Sequence, residues 1–236
     1  MGLKESGLRG SLRNVSVGID AIPDSDMLHA HYDATELNFS DGDTVSTFED
    51  QTDNDHELTA SGGPTYISDG INGNPSVFYD GVDDKHIIDS WENQPTPNHV
   101  FVVFNHQGGE SERVFGNGSG DNAFGHQYRN DNGDGGQQLF NGESLNGGDS
   151  TLGGTHITTC YFDDGGESYI RTDGSLEVSG DAGTRDSEGF SLGVDKGEIG
   201  FWEGEIGEVL WYQTGLDSES EAQAEEYLSD KWGISI

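Results

Sequence analysis

The 236-residue chain has one cysteine, five prolines and only ten lysines and arginines, and the scarcities narrow what it can be. A single thiol cannot form an internal disulfide, so no covalent framework supports the fold. Cys160 lies within the strand-like run 157–162, where it reads as a small apolar core side chain rather than a nucleophile. The shortage of cations removes nucleic acid as a direct partner, because phosphate binding needs a basic face. No apolar run approaches the roughly 20 residues of a membrane-spanning helix. The first residues lack an apolar segment, so the expectation is a chain without a secretory signal.

Catalytic and ligating motifs are equally thin. Gly116-Asn117-Gly118-Ser119-Gly120 has no lysine behind it, which makes it a turn rather than a phosphate loop. His29 with His31, and His99 with His106, lack further ligands at zinc-site spacing.

What the chain does have is acid. There are 45 acidic residues, a net charge of −35, and they are spread along a chain with 11 Phe, 8 Tyr and 4 Trp rather than gathered in a tail. Such a field repels itself in dilute buffer and is tolerated where concentrated salt screens it, so the surface reads as a halophile's. The 37 glycines point to many turns, and the length suits one β domain. The first 13 residues differ, holding three of the ten cations. Residues 1–20 are set apart as an arm whose Lys4, Leu8, Arg9, Leu12 and Arg13 dock on an acidic neighbouring subunit, and residues 21–236 form the domain.

Hydrophobic patterning supplies the elements. His99 to Phe104 and Val209 to Tyr212 are nearly unbroken apolar runs, as in strands covered on both faces. Asp173-Gly174 between Ser168–Thr172 and Ser175–Val178 is a hairpin signal. Short strands with long loops are expected over 105–155. A helix follows Leu216: Asp217 or Ser218 can cap it, Ser218 with Glu221 fits a capping box, and Gly233 can close it. Ala224, Tyr227, Leu228 and Trp232 recur at helical spacing. Trp202, Trp211 and Trp232 read as core.

The ending, Gly204-Glu-Ile-Gly-Glu-Val-Leu-Trp-Tyr212 and then an acidic helix closing on Tyr227-Leu-Ser-Asp-Lys-Trp-Gly233, resembles that of the LamG-like, concanavalin A-type lectin and glucanase family. His31-Tyr-Asp-Ala34, Phe48 to Asp55, Pro64-Thr-Tyr66, Ile71-Asn-Gly-Asn-Pro75 and Val77 to Asp84 precede it in the family's order. The resemblance implies an all-β fold: a two-sheet antiparallel jelly-roll sandwich with a short C-terminal helix and the N-terminal arm. It says little about function, since the same sandwich serves lectins, glycosidases, adhesins and virion proteins.

Three constellations could carry chemistry. Retaining enzymes of this type carry a Glu-x-Asp-x-x-Glu strand; here Glu203, Glu205 and Glu208 keep the spacing without the central Asp. Alternation leaves Glu208 off the face of the other two unless a bulge intervenes, so no catalytic residue is assigned. Asp131, Asn132 and Asp134 resemble the start of a calcium loop, but Asn130 leads it and Asn141 stands where the closing Glu belongs. The same residues also read as a solvated turn. Trp91 beside Glu92 and Asn93, and Tyr128 beside Arg129 and Asn130, are the candidate sugar contacts.

Together these features imply a non-enzymatic virion surface protein of a halophilic archaeal virus: a capsid turret, decoration or tail-associated protein. It would be assembled in the host cytoplasm as a symmetric homo-oligomer, bind other virion proteins through its arm, and contact host surface glycans. The alternatives are a haloarchaeal cell-surface adhesin or carbohydrate-binding module, located extracellularly, and then a glycosidase.

Overall fold

The computed structural model describes residues 22–109, 111–117, 124–129, 136–147, 153–195 and 197–236, the side chains of 126–129 excepted. Its strands are β1 (Leu28–Asp33), β2 (Thr47–Phe48), β3 (Leu58–Ser61), β4 (Thr65–Ile67), β5 (Ser76–Asp80), β6 (Lys85–Ile88), β7 (Asn98–His106) and β8 (Glu112–Gly116). Then come β9 (Gly125–Arg129), β10 (Gly136–Phe140), β11 (Ser144–Gly147), β12 (Gly154–Phe162), β13 (Ser168–Thr172), β14 (Ser175–Gly180), β15 (Phe190–Leu192) and β16 (Glu203–Tyr212). One helix, α1 (Ser218–Trp232), follows β16.

The strands form two antiparallel sheets packed as a jelly-roll-like sandwich. The first runs β14-β13-β12-β7-β16-β5-β4, and the second β11-β10-β9-β8-β15-β6-β3-β2. β16 is the axis of the first sheet. β7 lies along one side of it, while β5 pairs with residues 203–206 and β1 with residues 208–212 on the other side. The apolar runs have the predicted double cover. Val100, Val102, Phe104, Val209 and Trp211 enter the core between the sheets, whereas Phe101, Val103, Leu210 and Tyr212 meet α1 on the outer face. Cys160, Trp202 and Trp211 are fully buried in the inter-sheet core, and Trp232 is fully buried beneath the helix.

Local chemistry explains the joints. Asp173 (φ 48°) and Gly174 (φ 73°) both take the left-handed conformation that a two-residue hairpin turn requires. Gly233 (φ 65°) ends α1 as expected. The cap at the other end is Asp217, whose carboxylate accepts the Glu219 and Ser220 N–H groups at 3.1 and 2.9 Å. The Ser218–Glu221 box does not form, because Glu221 turns inward to His99, Tyr169 and Arg171. At the far end Asn72 and Asn74 donate to the Trp232 and Lys231 carbonyls, so the Asn-Gly-Asn motif caps the helix across 157 or more residues of sequence. Among the described residues no helix is long and apolar enough to cross a membrane.

Candidate functional site

Plain alternation along β16 would separate Glu208 from Glu203 and Glu205. A bulge prevents this. Pairing with β7 slips between Ile206 and Glu208, leaving Gly207 as the extra residue. Ile206 and Val209 then both face the inter-sheet core, and all three glutamates face outward. A Cβ on Gly207 would lie 2.5 Å from the Trp232 ring, so only glycine lets the indole rest on the strand.

Glu208 is wholly buried under α1 and accepts from four groups. His31 Nε2 (2.8 Å) and Tyr227 OH (3.0 Å) reach Oε1; Trp232 Nε1 (2.7 Å) and Lys231 Nζ (2.8 Å) reach Oε2. Burial alone would raise its pKa. The His31 hydrogen bond and the Lys231 charge outweigh that and bring it down to about 2. Lys231 also donates to Asp33, whose carboxyl is pushed up by burial and by the neighbouring Glu208. The carboxylate and imidazole atoms of His31, Asp33 and Glu208 lie close enough together to hold a metal, but the Lys231 ammonium already stands among them. This cluster fastens the helix to the sheet.

Glu205 has different surroundings. It lies beyond the end of α1 and, among the described residues, accepts only from neutral donors: Ser76 Oγ at 2.6 Å, Gln107 Nε2 at 2.8 Å and Asn105 Nδ2 at 3.3 Å. In the strand register Phe78 and Asn105 flank it, with Thr65 and Thr155 next in the same row. Phe78 is half-buried and belongs to neither apolar cluster. Gln107 and Glu203 are exposed at the margin. The result is a polar patch with one half-buried aromatic ring, two side-chain amides and, beneath them, a hydrogen-bonded carboxylate that is only 8% exposed. Such a surface suits hydroxyl-rich ligands.

The residues singled out from the sequence fall elsewhere. Trp91 is half-buried and packs its ring 4.3 Å from Trp211 and 5.8 Å from Phe190, so it is a wall of the core rather than an open platform. Tyr128 lies on β9 opposite Gln137 and Glu112, and its side chain is outside the described residues. Asp131, Asn132 and Asp134, and the arm residues Lys4, Leu8, Arg9, Leu12 and Arg13, also lie outside the described residues. A second close group of acids, Asp80, Asp83 and Asp84, organises a turn. Asp80 accepts the Val82 N–H at 2.8 Å, and Asp84 accepts from Gly63 and Asp80. Phe78 and Asn105 carried no sequence signal; each sits in an apolar run, and only the register places them beside Glu205.

No family model and no curated protein matches the chain. Solved structures do. Domain 4 of AbnA, a GH43 extracellular arabinanase from Geobacillus stearothermophilus solved with arabinotriose, is 20% identical with a TM-score of 0.57, over 84% of this chain and 98% of that one. A Trypanosoma rangeli sialidase in complex with sialic acid is 12% identical with a TM-score of 0.61, over 87% of this chain and 33% of that one. A GH54 α-L-arabinofuranosidase is 10% identical with a TM-score of 0.61, over 78% and 50%. This chain therefore spans a third of the sialidase and half of the arabinofuranosidase. At such identities the likeness is one of fold: a β-sandwich of the kind found in glycoside hydrolases.

Proposed function

We propose that this chain is a non-enzymatic surface protein that holds neutral glycans, built as a structural component of a halophilic archaeal virion: a capsid turret, decoration or tail-associated protein. One observation carries the glycan part. Along one face of β16, the glutamate that completes the glycosidase-like spacing is sealed under α1 at 0% exposure, while Glu205, 8% exposed and held by neutral donors, lies past the helix beside the half-buried Phe78. A retaining glycosidase needs two carboxyl groups that reach the substrate about 5–5.5 Å apart, and a buried Glu208 reaches none. The face can hold a sugar without cleaving it. Domain 4 of the arabinanase, with its bound arabinotriose, supports this reading by likeness of fold. The carboxylate and the net charge of −35 favour neutral over acidic sugars.

The virion part rests on the acidic surface and the cationic residues 1–20, and the finer LamG-like assignment on the order of the sequence motifs. In this reading the arm binds other virion proteins, the protein forms a symmetric oligomer, and the sandwich faces the host. Likeness to a domain of an extracellular enzyme favours a second reading, a haloarchaeal cell-surface adhesin.

Glycan-array binding in molar KCl tests the sugar face: the wild type should bind neutral oligosaccharides, and Phe78→Ala with Glu205→Gln should lose them by about tenfold or more. Unaltered binding by that double variant sinks the assignment. Mass spectrometry of purified particles, with and without residues 1–20, tests the virion role. Stoichiometric signal that disappears with the arm supports it, and signal on cell envelopes instead supports the adhesin.

A further inference from the structure

The seam between α1 and the sheet holds an amine and a carboxyl group in contact, with a second carboxylate beside them. Lys231 Nζ lies 2.5 Å from Asp33 Oδ2 and 2.8 Å from Glu208 Oε2. The Lys231, Asp33 and Glu208 side chains are 12%, 4% and 0% exposed, so the contact is made away from bulk water. One C–O bond length beyond Oδ2, about 1.23 Å, places the Asp33 carboxyl carbon within about 3.7 Å of the amine nitrogen. Reacting atoms in a near-attack pair stand about 3–3.5 Å apart.

The surroundings suit a reaction as well as an ion pair. The Thr35 N–H and hydroxyl donate to Asp33 Oδ1 at 2.9 and 2.7 Å, which holds the carboxyl group with Oδ2 toward the lysine. Those two donors also face the oxygen that turns negative when a nucleophile adds to the carbon. Burial, and then Glu208, push the Asp33 pKa up, which favours the neutral acid that an amine can attack. Burial acts to raise the Glu208 pKa too, and the His31 hydrogen bond and the Lys231 charge outweigh it. Once the amine is neutral that charge is gone, and Glu208 is the stronger base for it.

We propose that Lys231 and Asp33 condense to an intramolecular isopeptide bond, with Glu208 carrying the proton. The ion pair is the reactant, present in newly folded chains. A proton passes from the Lys231 ammonium to the Asp33 carboxylate, leaving an amine and a carboxylic acid. Nζ adds its lone pair to the carboxyl carbon, the C=O pair moves onto Oδ1 beneath the Thr35 donors, and Glu208 Oε2 takes one proton from the nitrogen. Glu208 then gives that proton to the departing Oδ2 hydroxyl, which leaves as water while the C=O re-forms. One C–N bond forms and one C–O bond breaks, with no change of oxidation state. The bond joins β1 to α1 across 198 positions of a chain whose single cysteine allows no internal disulfide. It depends on neither the sugar face nor the virion reading.

The test is the mass of the full chain, folded in molar KCl and followed over time by intact mass spectrometry under denaturing conditions. The wild type should lose the mass of one water, and digestion should release a branched peptide joining Asp33 to Lys231. Lys231→Arg keeps the cation but has no amine to acylate, so its mass should stay at the sequence value. Asp33→Asn should form the same bond with loss of ammonia in place of water, a difference that an ion pair alone cannot produce. Glu208→Gln should slow the mass change by about a hundredfold, and a wild-type rate in that variant overturns the role given to Glu208. A wild-type mass that stays at the sequence value through prolonged incubation overturns the proposal, as does a loss of water that persists in Lys231→Arg.

Discussion

Glu205 and Glu208 lie three residues apart on the same face of the same strand, yet their surroundings differ in kind. Glu208 has a helix above it and Lys231 beside it; Glu205 lies past the helix and, among the described residues, accepts from amides and a hydroxyl. In a chain with 45 acids and ten bases, cations are too few to pair every carboxylate. Two of them go to the helix–sheet seam. Lys231 serves Glu208 and Asp33, and Arg171 serves Glu225 and Glu221. At this seam a fully sealed carboxylate has a cation buried with it, whereas Glu205, 8% exposed, is held by neutral donors instead.

The comparison breaks most readily at Lys231. Lys231→Met leaves Glu208 and Asp33 buried without their cation, a change on the order of 3–5 kcal/mol in unfolding free energy. Denaturant titration in molar KCl measures it, and a loss below about 1 kcal/mol would make the pair dispensable. Gly207→Ala comes next. Its methyl group would lie 2.5 Å from the Trp232 ring, and the forced repacking should cost about 1–3 kcal/mol, read the same way.

Acid sharpens the contrast in two steps. His29 and His86 have pKa values of about 4 in the folded protein, in both cases chiefly through burial, against about 6.5 unfolded. The unfolded chain therefore takes up their protons first, so this stability is complete above about pH 6.5 and is lost as the pH falls toward 4. Glu208, at about 2 in the folded protein against about 4.3 unfolded, adds a second loss that begins near pH 4.3 and continues toward 2. Unfolding free energies measured from pH 7.5 to 3 should fall in that order. A profile flat to pH 5 would contradict the neutral buried histidines. The smallest effect belongs to Glu205→Gln, which keeps a hydrogen-bonding side chain in place and should shift stability by less than about 1 kcal/mol while altering sugar binding.

Much of the frame could be read from local chemistry. The Asp173-Gly174 turn, the Gly233 cap and the doubly covered run from Val209 to Tyr212 each depend on a few adjacent residues. The functional surfaces depend on distant ones. Whether Glu208 faces out turns on the one-residue bulge at Gly207, which in turn accommodates a tryptophan 25 positions later in the chain. Glu221 looks like a capping residue until the fold brings His99 and Arg171 to it. Trp91 has the polar neighbours of a sugar contact, but a loop tucks its ring against Trp211. The same fold brings Asp33 and Lys231 together from 198 residues apart.

The position of β16 also has a consequence for how the protein is made. β1, β5 and β7 leave the ribosome long before the strand that joins them, and β16 is the last strand to appear. Until then the edges that will receive it stand open, the condition under which strands from neighbouring chains pair by mistake. The heavy negative charge is already present on every nascent chain. The repulsion between such chains keeps unfinished copies apart on a crowded polysome while they wait for their central strand.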